Sequence, residues 1–575
     1  MFDRSSGVLL PIFSLPGPYG VGRFGPEAMH FAEILAAAGF TYWQVLPFTP
    51  PGYGDSPYQC YSAYAGNPLF INPAELHEQG LVTQEELQAV VDPQAYSEID
   101  YQRVDHLAEV LLRQAFSRID DDLKLKVDAY RERNSDWLDD YALYRAIKRR
   151  QQDKPWWEWN HEGLRQADPA ALAVVRELET AEIDYVCFVQ YEFDRQWQKL
   201  KAAVHAIGIQ LIGDMPIYVA GDSADVWAQK KYFELDEAGR FTRVAGVPPD
   251  YFTADGQLWG NPLYNWQVMA DERYDWWIKR IRAGLTTFDV LRIDHFRGFE
   301  SYWAVQAGEE TARNGIWVKG PAMNLFERLL EVFPDAPIIA EDLGIITEDV
   351  RDFLSQTGLP GMKVMQFTMN PGDEHGDRPH SFPVNCVAYT GTHDNDTLVG
   401  WLKKLSLEEW QLVRDYCGLD DHEAGRRSYC RTGVSMQSDP GCALPTLAID
   451  LDQPGETHFL PDEDDRTASD GEDSIETVRI PGQLIQPACR AVIRCLWQTS
   501  ANLVVAPVQD LLGQDERGRI NTPGCSSGCW TYRLGENDLA ALDIDRLQNL
   551  NRIFQRSRNR LVNPVVDSGS CIEPI

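Results

Sequence analysis

Eight short apolar runs recur along the chain, and most of them end in a cluster of polar or charged residues. The runs span residues 7–11, 41–48, 209–219, 289–296, 337–344, 362–367, 387–394 and 502–513. Helical patterns separate most of them, as in residues 26–39, where alanine and leucine recur at helical spacing before Gly39. Strands that alternate with helices form parallel sheets, and polar strand ends are typical of one face of a barrel. The pattern therefore predicts an α/β fold, a (β/α)8 TIM barrel.

A long stretch between the second and third runs interrupts this alternation. Residues 68–182 are rich in charge and helical in pattern, and they are far longer than an ordinary connection. We expect an inserted helical subdomain there. Because barrels carry large insertions without splitting into independent domains, we predict a single barrel unit over residues 1–575.

A second insertion is predicted over residues 418–482, which are irregular in pattern. Eleven acidic residues and one basic residue, Arg466, lie between Asp450 and Glu476. Such a density of like charge stays in water, which favours a solvated or flexible loop. Asp462 to Asp465 could also offer oxygen ligands to calcium, although the spacing of an EF-hand is absent.

Charge and composition exclude several classes of partner. The formal net charge of -34 repels phosphate backbones and anionic lipid surfaces, so we expect neither a nucleic acid nor a membrane as partner. No apolar run reaches the roughly 18 to 20 residues of a membrane helix, and the first residues lack a basic leader with a long apolar segment. Eleven scattered cysteines fit a reducing compartment, and we expect a cytoplasmic protein.

Aromatic residues are frequent, at 11% of the chain with 17 tryptophans. Flat apolar rings with polar edges are the surfaces on which sugar rings stack, but the same rings are equally typical of a protein core. Composition therefore gives neutral sugar ligands only a slight preference.

Three acidic side chains follow separate predicted strands. Asp294 ends one run, and Arg292 lies two residues before it on the same strand face, where a guanidinium would hold the carboxylate ionised. Glu341 ends the next run, where partial desolvation raises the pKa of a carboxyl. Asp394 follows His393 in the segment YTGTHDNDT.

Cleavage of an acetal needs one carboxylic acid that protonates the leaving oxygen and one carboxylate that attacks the anomeric carbon. Each acidic residue taken alone is equally typical of a helix cap or a structural ion pair. Three of them at separate strand ends, accompanied by an arginine and a histidine, favour an active site. The sequence therefore predicts an enzyme that breaks and remakes glycosidic bonds with Asp294 and Glu341.

Longer motifs resemble those of one family. They are RSSGVLLPIFSLPGPYGVGRFG, PPGYGDSPYQCYSAYAGNPL, IGDMPIYVAGDSADVW, GVPPDYFTADGQLWGNPLYNW, RIDHFRGF, AEDLG, THDNDT and VVAPVQDLLG. From about Arg4 to Asn563 the chain resembles the 4-α-glucanotransferases, also called amylomaltases or disproportionating enzymes, a branch of the α-amylase superfamily. The resemblance implies a (β/α)8 barrel with inserted subdomains. It also implies a retaining double displacement that moves α-1,4-glucan segments from maltooligosaccharides, starch or glycogen to the 4-hydroxyl of a glucan or glucose.

The resemblance assigns roles residue by residue. Asp294 matches the nucleophile, Glu341 the general acid/base and Asp394 the stabiliser of the transition state. The substrate contacts that it implies are Asp214, Arg292, His393, Tyr58, Trp259 with Gln257 beside it, Asp250 and Phe252 in the flexible loop 246–252, and Tyr53 in a second glucan groove. Without the motifs, core packing would explain the aromatic residues equally well.

The segment NTPGCSSGCWTYRL departs from the family pattern. Cys529 stands where the family usually has an asparagine, and Cys525 where a threonine is common. A metal or redox pair is a weak alternative, because no further cysteine or histidine completes a tetrad nearby. The chain has neither a phosphate-binding glycine loop nor a zinc spacing, so no cofactor and no metal is expected.

Two other functions remain open on the residues alone. An α-glucan hydrolase of the amylase type would use the same carboxylates, and the preference for transfer rests on the resemblance. A non-catalytic glycan-binding protein would keep the aromatic residues and lose a carboxylate, whereas all three carboxylates are present. The oligomeric state is left open, with a monomer as the expectation.

Overall fold

The computed structural model describes residues 2–92, 98–249, 254–372, 377–419, 480–525 and 527–557. The strands in this part of the chain are β1 Ser5–Leu9, β2 Tyr42–Gln44, β3 Gln210–Met215, β4 Arg243–Val247, β5 Gln257–Pro262, β6 Val290–Ile293, β7 Ser301–Gln306, β8 Ile316–Lys319, β9 Ile338–Ala340, β10 Gly361–Val364, β11 Cys386–Tyr389 and β12 Leu503–Pro507. They form an eight-stranded parallel sheet and a four-stranded antiparallel sheet.

The parallel sheet curls into a barrel. Its strand order is β10-β11-β12-β1-β2-β3-β6-β9. The two ends meet where the Ala340 amide donates to the Pro360 carbonyl at 2.9 Å and the Met362 amide to the Asp342 carboxylate at 2.6 Å. Nearly every residue of these strands is buried, because one face fills the barrel and the other lies under helices. Each strand overlaps one of the eight predicted runs, so the predicted TIM barrel is confirmed.

Helices fill the connections. They are α1 Pro26–Ala37, α2 Pro73–Glu78, α3 Gln84–Ala89, α4 Tyr101–Phe116, α5 Asp121–Arg133, α6 Ser135–Arg150, α7 Glu162–Arg165, α8 Pro169–Leu178, α9 Thr180–Ala206, α10 Ala224–Ala228, α11 Trp266–Asp271, α12 Asp275–Thr287, α13 Met323–Val332, α14 Glu348–Thr357, α15 Met365–Thr368, α16 Leu398–Lys404, α17 Leu407–Cys417, α18 Gly482–Gln498, α19 Val508–Leu512 and α20 Ile544–Ile553. The helix predicted over 26–39 is α1, and Gly39 follows it with a φ of +79° that favours glycine.

The helices α2 to α9 occupy the connection between β2 and β3. The predicted boundary at residue 182 falls near the start of α9, which continues to Ala206 and returns the chain to the barrel. The division of the chain into a barrel unit and a subdomain over 68–182 stays a prediction. Most of the predicted acidic insertion over 418–482, including the calcium alternative, lies outside the described residues.

The antiparallel sheet was not predicted from the sequence. Its order is β5-β4-β7-β8, with β4 and β5 in the connection after β3, and β7 and β8 in the connection after β6. Both connections leave the carboxyl ends of barrel strands, so this sheet stands on the face of the barrel where active sites lie. The expectation of a flexible loop from residue 246 was wrong at its start. Gly246 and Val247 pair with β5 and belong to β4.

Within the described residues, no helix combines the length and the apolar character needed to cross a membrane.

Candidate active site

A buried arginine joins two carboxylates at the carboxyl ends of neighbouring barrel strands. Asp214 of β3 and Arg292 of β6 are register partners. Arg292 Nη1 lies 2.7 Å from both carboxylate oxygens of Asp214, and its Nη2 lies 3.0 Å from Asp294 Oδ1. Asp294 lies two residues after Arg292, as expected for side chains on one strand face. The guanidinium therefore anchors both carboxylates to the barrel.

Burial and neighbouring charges act in opposite directions on the pKa values of Arg292 and Asp294. Burial would lower the pKa of Arg292, but Asp214 and Asp294 raise it well above its usual value, so the guanidinium stays charged. Burial raises the pKa of Asp294, while Arg292 opposes that rise. The net result is a pKa of about 6 for Asp294, below the value of about 8 for Glu341. Of these two carboxyls, Asp294 is therefore the more readily ionised.

Glu341 follows β9 and is held by backbone donors. Its Oε2 accepts a hydrogen bond from the His295 amide and its Oε1 one from the Leu343 amide, each at 2.7 Å. Burial strongly raises the pKa of Glu341. The positive charge of Arg292 and the two amides oppose the rise, and the negative charge of Asp294 adds to it. The site thus contains two carboxyls with raised pKa values, of which Glu341 holds its proton to the higher pH, as an acid and nucleophile pair requires.

His295 is a residue of the site that was not predicted from the sequence. It adopts a left-handed backbone conformation with a φ of +49°, which is unfavourable for a side chain with a Cβ. The same residue donates its backbone amide hydrogen bond to Glu341. The ring of His295 packs edge-on against Trp259 with centroids 4.8 Å apart. Burial and the nearby Arg297 lower the pKa of His295 to about 3, so its imidazole is neutral.

Asp394, after β11, is bound by residues from a distant loop. Asn521 Nδ2 donates to Asp394 Oδ1 at 2.6 Å, and Arg519 Nη2 donates to the Asp394 carbonyl at 2.8 Å. His393 Nε2 lies 3.4 Å from the same Oδ1. The Asp394 side chain is 42% exposed, so it remains accessible to a ligand. Asn521 and Arg519 were not predicted as site residues, although Asn521 begins the segment NTPGCSSGCWTYRL.

The rings of Tyr58, His393 and Trp530 line the side of the site next to Asp214. Tyr58 donates its hydroxyl hydrogen bond to Asp214 Oδ2 at 2.8 Å and stacks on His393 with centroids 5.2 Å apart. Trp530 lies against both rings, at 5.7 Å from Tyr58 and 5.9 Å from His393. Burial raises the pKa of Tyr58 well above its usual value, so the hydroxyl keeps its proton. Trp530 was not predicted as a site residue, although it directly follows Cys529 in the segment NTPGCSSGCWTYRL.

The antiparallel sheet contributes Gln257 and Trp259 from its edge strand β5. Trp259 Nε1 donates to Gln257 Oε1 at 3.2 Å, and the Trp259 ring lies 6.3 Å from that of Tyr218. Trp259 is only partly buried. The contact with His295 links this sheet to the loop that carries Asp294.

The structure brings together most of the predicted site residues. The connected set is Tyr58, Asp214, Trp259 with Gln257, Arg292, Asp294, Glu341, His393 and Asp394. Asp250 and Phe252 lie outside the described residues, and so does the side chain of Tyr53, whose backbone is in a 3-10 helix over Tyr53–Asp55. Their role in binding stays a prediction.

Among the described residues, no group of three or more histidine, cysteine, aspartate and glutamate side chains is arranged to hold a metal ion. Cys525 is exposed, whereas Cys529 is buried with its sulfur 3.5 Å from the Thr522 amide nitrogen. Nothing in the structure explains why cysteine replaces asparagine at position 529.

A parallel barrel with two buried carboxyls of unequal pKa at neighbouring strand ends is an arrangement used by enzymes that cleave glycosidic bonds. A family model described as 4-alpha-glucanotransferase matches residues 10–538. The 4-alpha-glucanotransferase of Streptococcus pneumoniae is 38% identical over 564 residues, which cover 98% of this chain and 99% of that protein. The enzyme of the same name from Thermus thermophilus is 40% identical over 560 residues, covering 96% and 99%.

A solved structure agrees with these sequence matches. The amylomaltase from Streptococcus agalactiae in complex with acarbose superposes with a TM-score of 0.81 at 33% identity, covering 96% of this chain and all of that one. The chain belongs to the 4-alpha-glucanotransferase family. The family, the fold and the transferase class predicted from the sequence are therefore confirmed, and the comparisons favour transfer over the hydrolase alternative.

Proposed function

We propose that this enzyme transfers α-1,4-glucan segments by a retaining double displacement, with Asp294 as nucleophile and Glu341 as general acid and base. The contrast between the two carboxyls carries the proposal. Asp294 lies 3.0 Å from a buried guanidinium, whereas Glu341 is 8% exposed and bound by two neutral amides. The guanidinium favours a carboxylate at Asp294. Burial favours a carboxylic acid at Glu341, even though the two amides by themselves favour its ionised form.

In the first half-reaction, an oxygen of Asp294 attacks the anomeric carbon of the donor glucan. The glycosidic C–O bond breaks, and Glu341 gives its proton to the leaving oxygen, so the reducing-side fragment departs as an alcohol. The product is a glycosyl ester on Asp294 and an ionised Glu341. The amides of His295 and Leu343 stabilise this carboxylate through the bonds at 2.7 Å.

In the second half-reaction, the acceptor hydroxyl takes the place of the departed fragment. Glu341 removes the proton from the 4-hydroxyl of a glucan or of glucose, and that oxygen displaces Asp294 from the anomeric carbon. Both carboxyl groups return to their starting protonation states. Two displacements at one carbon give net retention, and one α-1,4 bond replaces another of similar energy.

Neighbouring side chains hold the sugar at the scissile bond. Asp394 is directed by Asn521 and remains half exposed, which suits a bond to sugar hydroxyls that strengthens as positive charge develops on the ring. The stacked rings of Tyr58 and His393 offer a flat surface and polar edges beside it. Trp259 offers a further ring near His295.

Residues beyond this set would bind the longer parts of the substrate. Asp250 and Phe252 are proposed to contact the acceptor, and Tyr53 to bind long glucans in a second groove. The substrates are α-1,4-glucans and maltooligosaccharides, with glucose as an additional acceptor.

We also propose that the enzyme acts as a cytoplasmic monomer, in line with its acidic composition and bacterial relatives.

The products formed from maltotriose test the reaction. Transfer gives glucose together with oligomers longer than maltotriose, whereas hydrolysis gives only glucose and maltose. We expect Asp294→Asn to lower the transfer rate by at least about a thousandfold.

Asp342→Asn is the matched control. Asp342 points away from Glu341 and accepts a hydrogen bond from the Met362 amide at 2.6 Å, which an asparagine oxygen can also accept. This variant should keep its transfer rate within a few-fold. Unchanged turnover in Asp294→Asn would contradict the assignment of the nucleophile.

A further inference from the structure

Trp317 exposes an aromatic ring on the antiparallel sheet that the mechanism above does not use, and it is backed by the partly buried Trp303 and the buried Arg297. We call Trp303, Trp317 and Arg297 the Trp317 platform. Trp317 on the edge strand β8 is 42% exposed. The register places Trp303 of β7 directly opposite Trp317, so both rings share one face of the sheet. Ile345, whose carbonyl accepts a hydrogen bond from Arg297, is also exposed at 45%.

The ring of Trp317 is held in place from below and from one side. The Arg297 guanidinium lies 4.0 Å from the centre of the Trp317 ring. The Trp303 ring packs against Trp317 at 5.3 Å, and its Nε1 donates to the Ala312 carbonyl at 2.7 Å. A flat ring that is already fixed loses little conformational entropy when a ligand covers it. The platform is therefore prepared for binding.

The platform borders the loops that carry both catalytic carboxyls. Arg297 follows His295 by two residues, a stretch of chain of about 7 Å at most. Through its bond to the Ile345 carbonyl, the same arginine contacts the loop that follows Glu341. Strand alternation places Trp317 and Trp259 on opposite faces of the sheet. A single sugar cannot contact both faces, whereas a polymer can.

We propose that the Trp317 platform is an accessory site that binds α-glucan chains outside the catalytic cleft. This proposal rests on the transferase function proposed above. The substrate is a neutral polymer whose sugar rings have apolar faces and polar rims, the surface that stacks on exposed indoles. The net charge of -34 disfavours anionic polymers at this surface. By retaining a long chain next to the cleft, the platform raises the local concentration of its reactive segments.

The inference is tested by comparing long amylose with maltotriose as substrates of Trp317→Ala. We expect KM for long amylose to rise at least about threefold, because one stacking surface is lost. The kcat and KM for maltotriose should stay within about twofold, because a trisaccharide in the cleft does not reach the platform. The products formed from maltotriose test the transferase function, and the KM for long amylose tests the platform. Failure of the transferase function and failure of the platform therefore give different results.

Two further variants separate binding from structural roles. Trp317→Tyr keeps a flat ring over Arg297 and should restore most of the affinity for amylose. Trp157→Ala removes a tryptophan of similar exposure, 39%, from the helical insertion. It should leave kcat and KM for both substrates unchanged.

Three results would overturn the proposal. The first is an unchanged KM for amylose in Trp317→Ala, and the second is an equal loss on amylose and maltotriose. The third is a dimer of the natural enzyme that Trp317→Ala dissociates without a change in amylose affinity. That result would assign the platform to contacts between copies of the chain.

Discussion

Replacing Arg292 by lysine tests whether the guanidinium keeps Asp294, the proposed nucleophile, ionised. The arginine uses Nη1 for both oxygens of Asp214 at 2.7 Å and Nη2 for Asp294 at 3.0 Å. A lysine carries the same charge on one nitrogen and cannot reproduce this fork. We expect the ammonium to stay with Asp214, whose side chain is fully buried, and to leave Asp294 without its direct partner.

The structure sets the size of the effect. A hydrogen bond between charged groups contributes about 1.5 to 3 kcal/mol, and Asp294 loses one such bond. Since about 1.4 kcal/mol corresponds to a factor of ten, kcat/KM should fall by roughly ten- to a hundredfold. Because Arg292 opposes the rise in the pKa of Asp294, weakening the pair raises that pKa further. A smaller fraction of Asp294 is then ionised at a given pH, so the acid limb of the activity profile moves to higher pH.

The assay is the initial rate of glucose release from maltotriose, measured as kcat/KM across both limbs of the pH profile. Arg243→Lys is the matched control, because Arg243 makes a similar forked pair with Glu234 at 3.0 and 2.8 Å on the antiparallel sheet. Thermal unfolding of both variants shows whether the fold is retained. An acid limb that does not move, with kcat/KM within about twofold of the natural enzyme, would refute the reasoning.

Other substitutions test the remaining contacts. Asn521→Ala removes the 2.6 Å bond to Asp394 and should lower kcat/KM for maltotriose by roughly five- to thirtyfold without lowering the melting temperature by more than a few degrees. His295→Val should weaken the hydrogen bond from the residue 295 amide to Glu341, because a β-branched residue disfavours a φ of +49°. The alkaline limb of the activity profile should then move to higher pH. His295→Asn should give a smaller shift of that limb. The pKa of Glu341 is raised in the folded state, so the natural enzyme loses stability as pH rises from the unfolded-state pKa to the folded-state pKa. Glu341→Gln should remove this loss and flatten the dependence of the free energy of unfolding on pH.

The barrel could be predicted because its strands are buried on both faces and end in polar residues. That burial produces continuous apolar runs such as those of β6 and β9, which a single sequence reveals. The shared face of Arg292 and Asp294 followed from strand periodicity, and the ion pair at 3.0 Å agrees with it.

The antiparallel sheet could not be predicted on the same grounds. Strand β8 is mostly exposed, and β5 contains Gly260 and Pro262, so neither shows an apolar run or a clear alternation. These strands are defined by pairing across long sequence separations. Burial on one face of a sheet that stands above the barrel leaves little trace in the local pattern.

Two supporting residues of the site lie in segments that resemble the family motifs, but their roles could not be assigned from the sequence. Asn521 and Asp394 are 127 residues apart and meet only because the barrel brings their loops together. His295 is identified by its left-handed backbone and its amide bond to Glu341, neither of which depends on a recognisable side-chain pattern. Strained backbone at an active site is visible only in a structure.

The central claim is that Asp294 forms a covalent bond to the sugar while Glu341 handles the proton. Treating Glu341→Gln with α-maltosyl fluoride tests it directly, because fluoride leaves without an acid and the missing base slows release of the ester. Mass spectrometry of proteolytic fragments should find the maltosyl group on the peptide that contains Asp294. A label on another residue, or turnover to the inverted anomer with no covalent adduct, would contradict the mechanism.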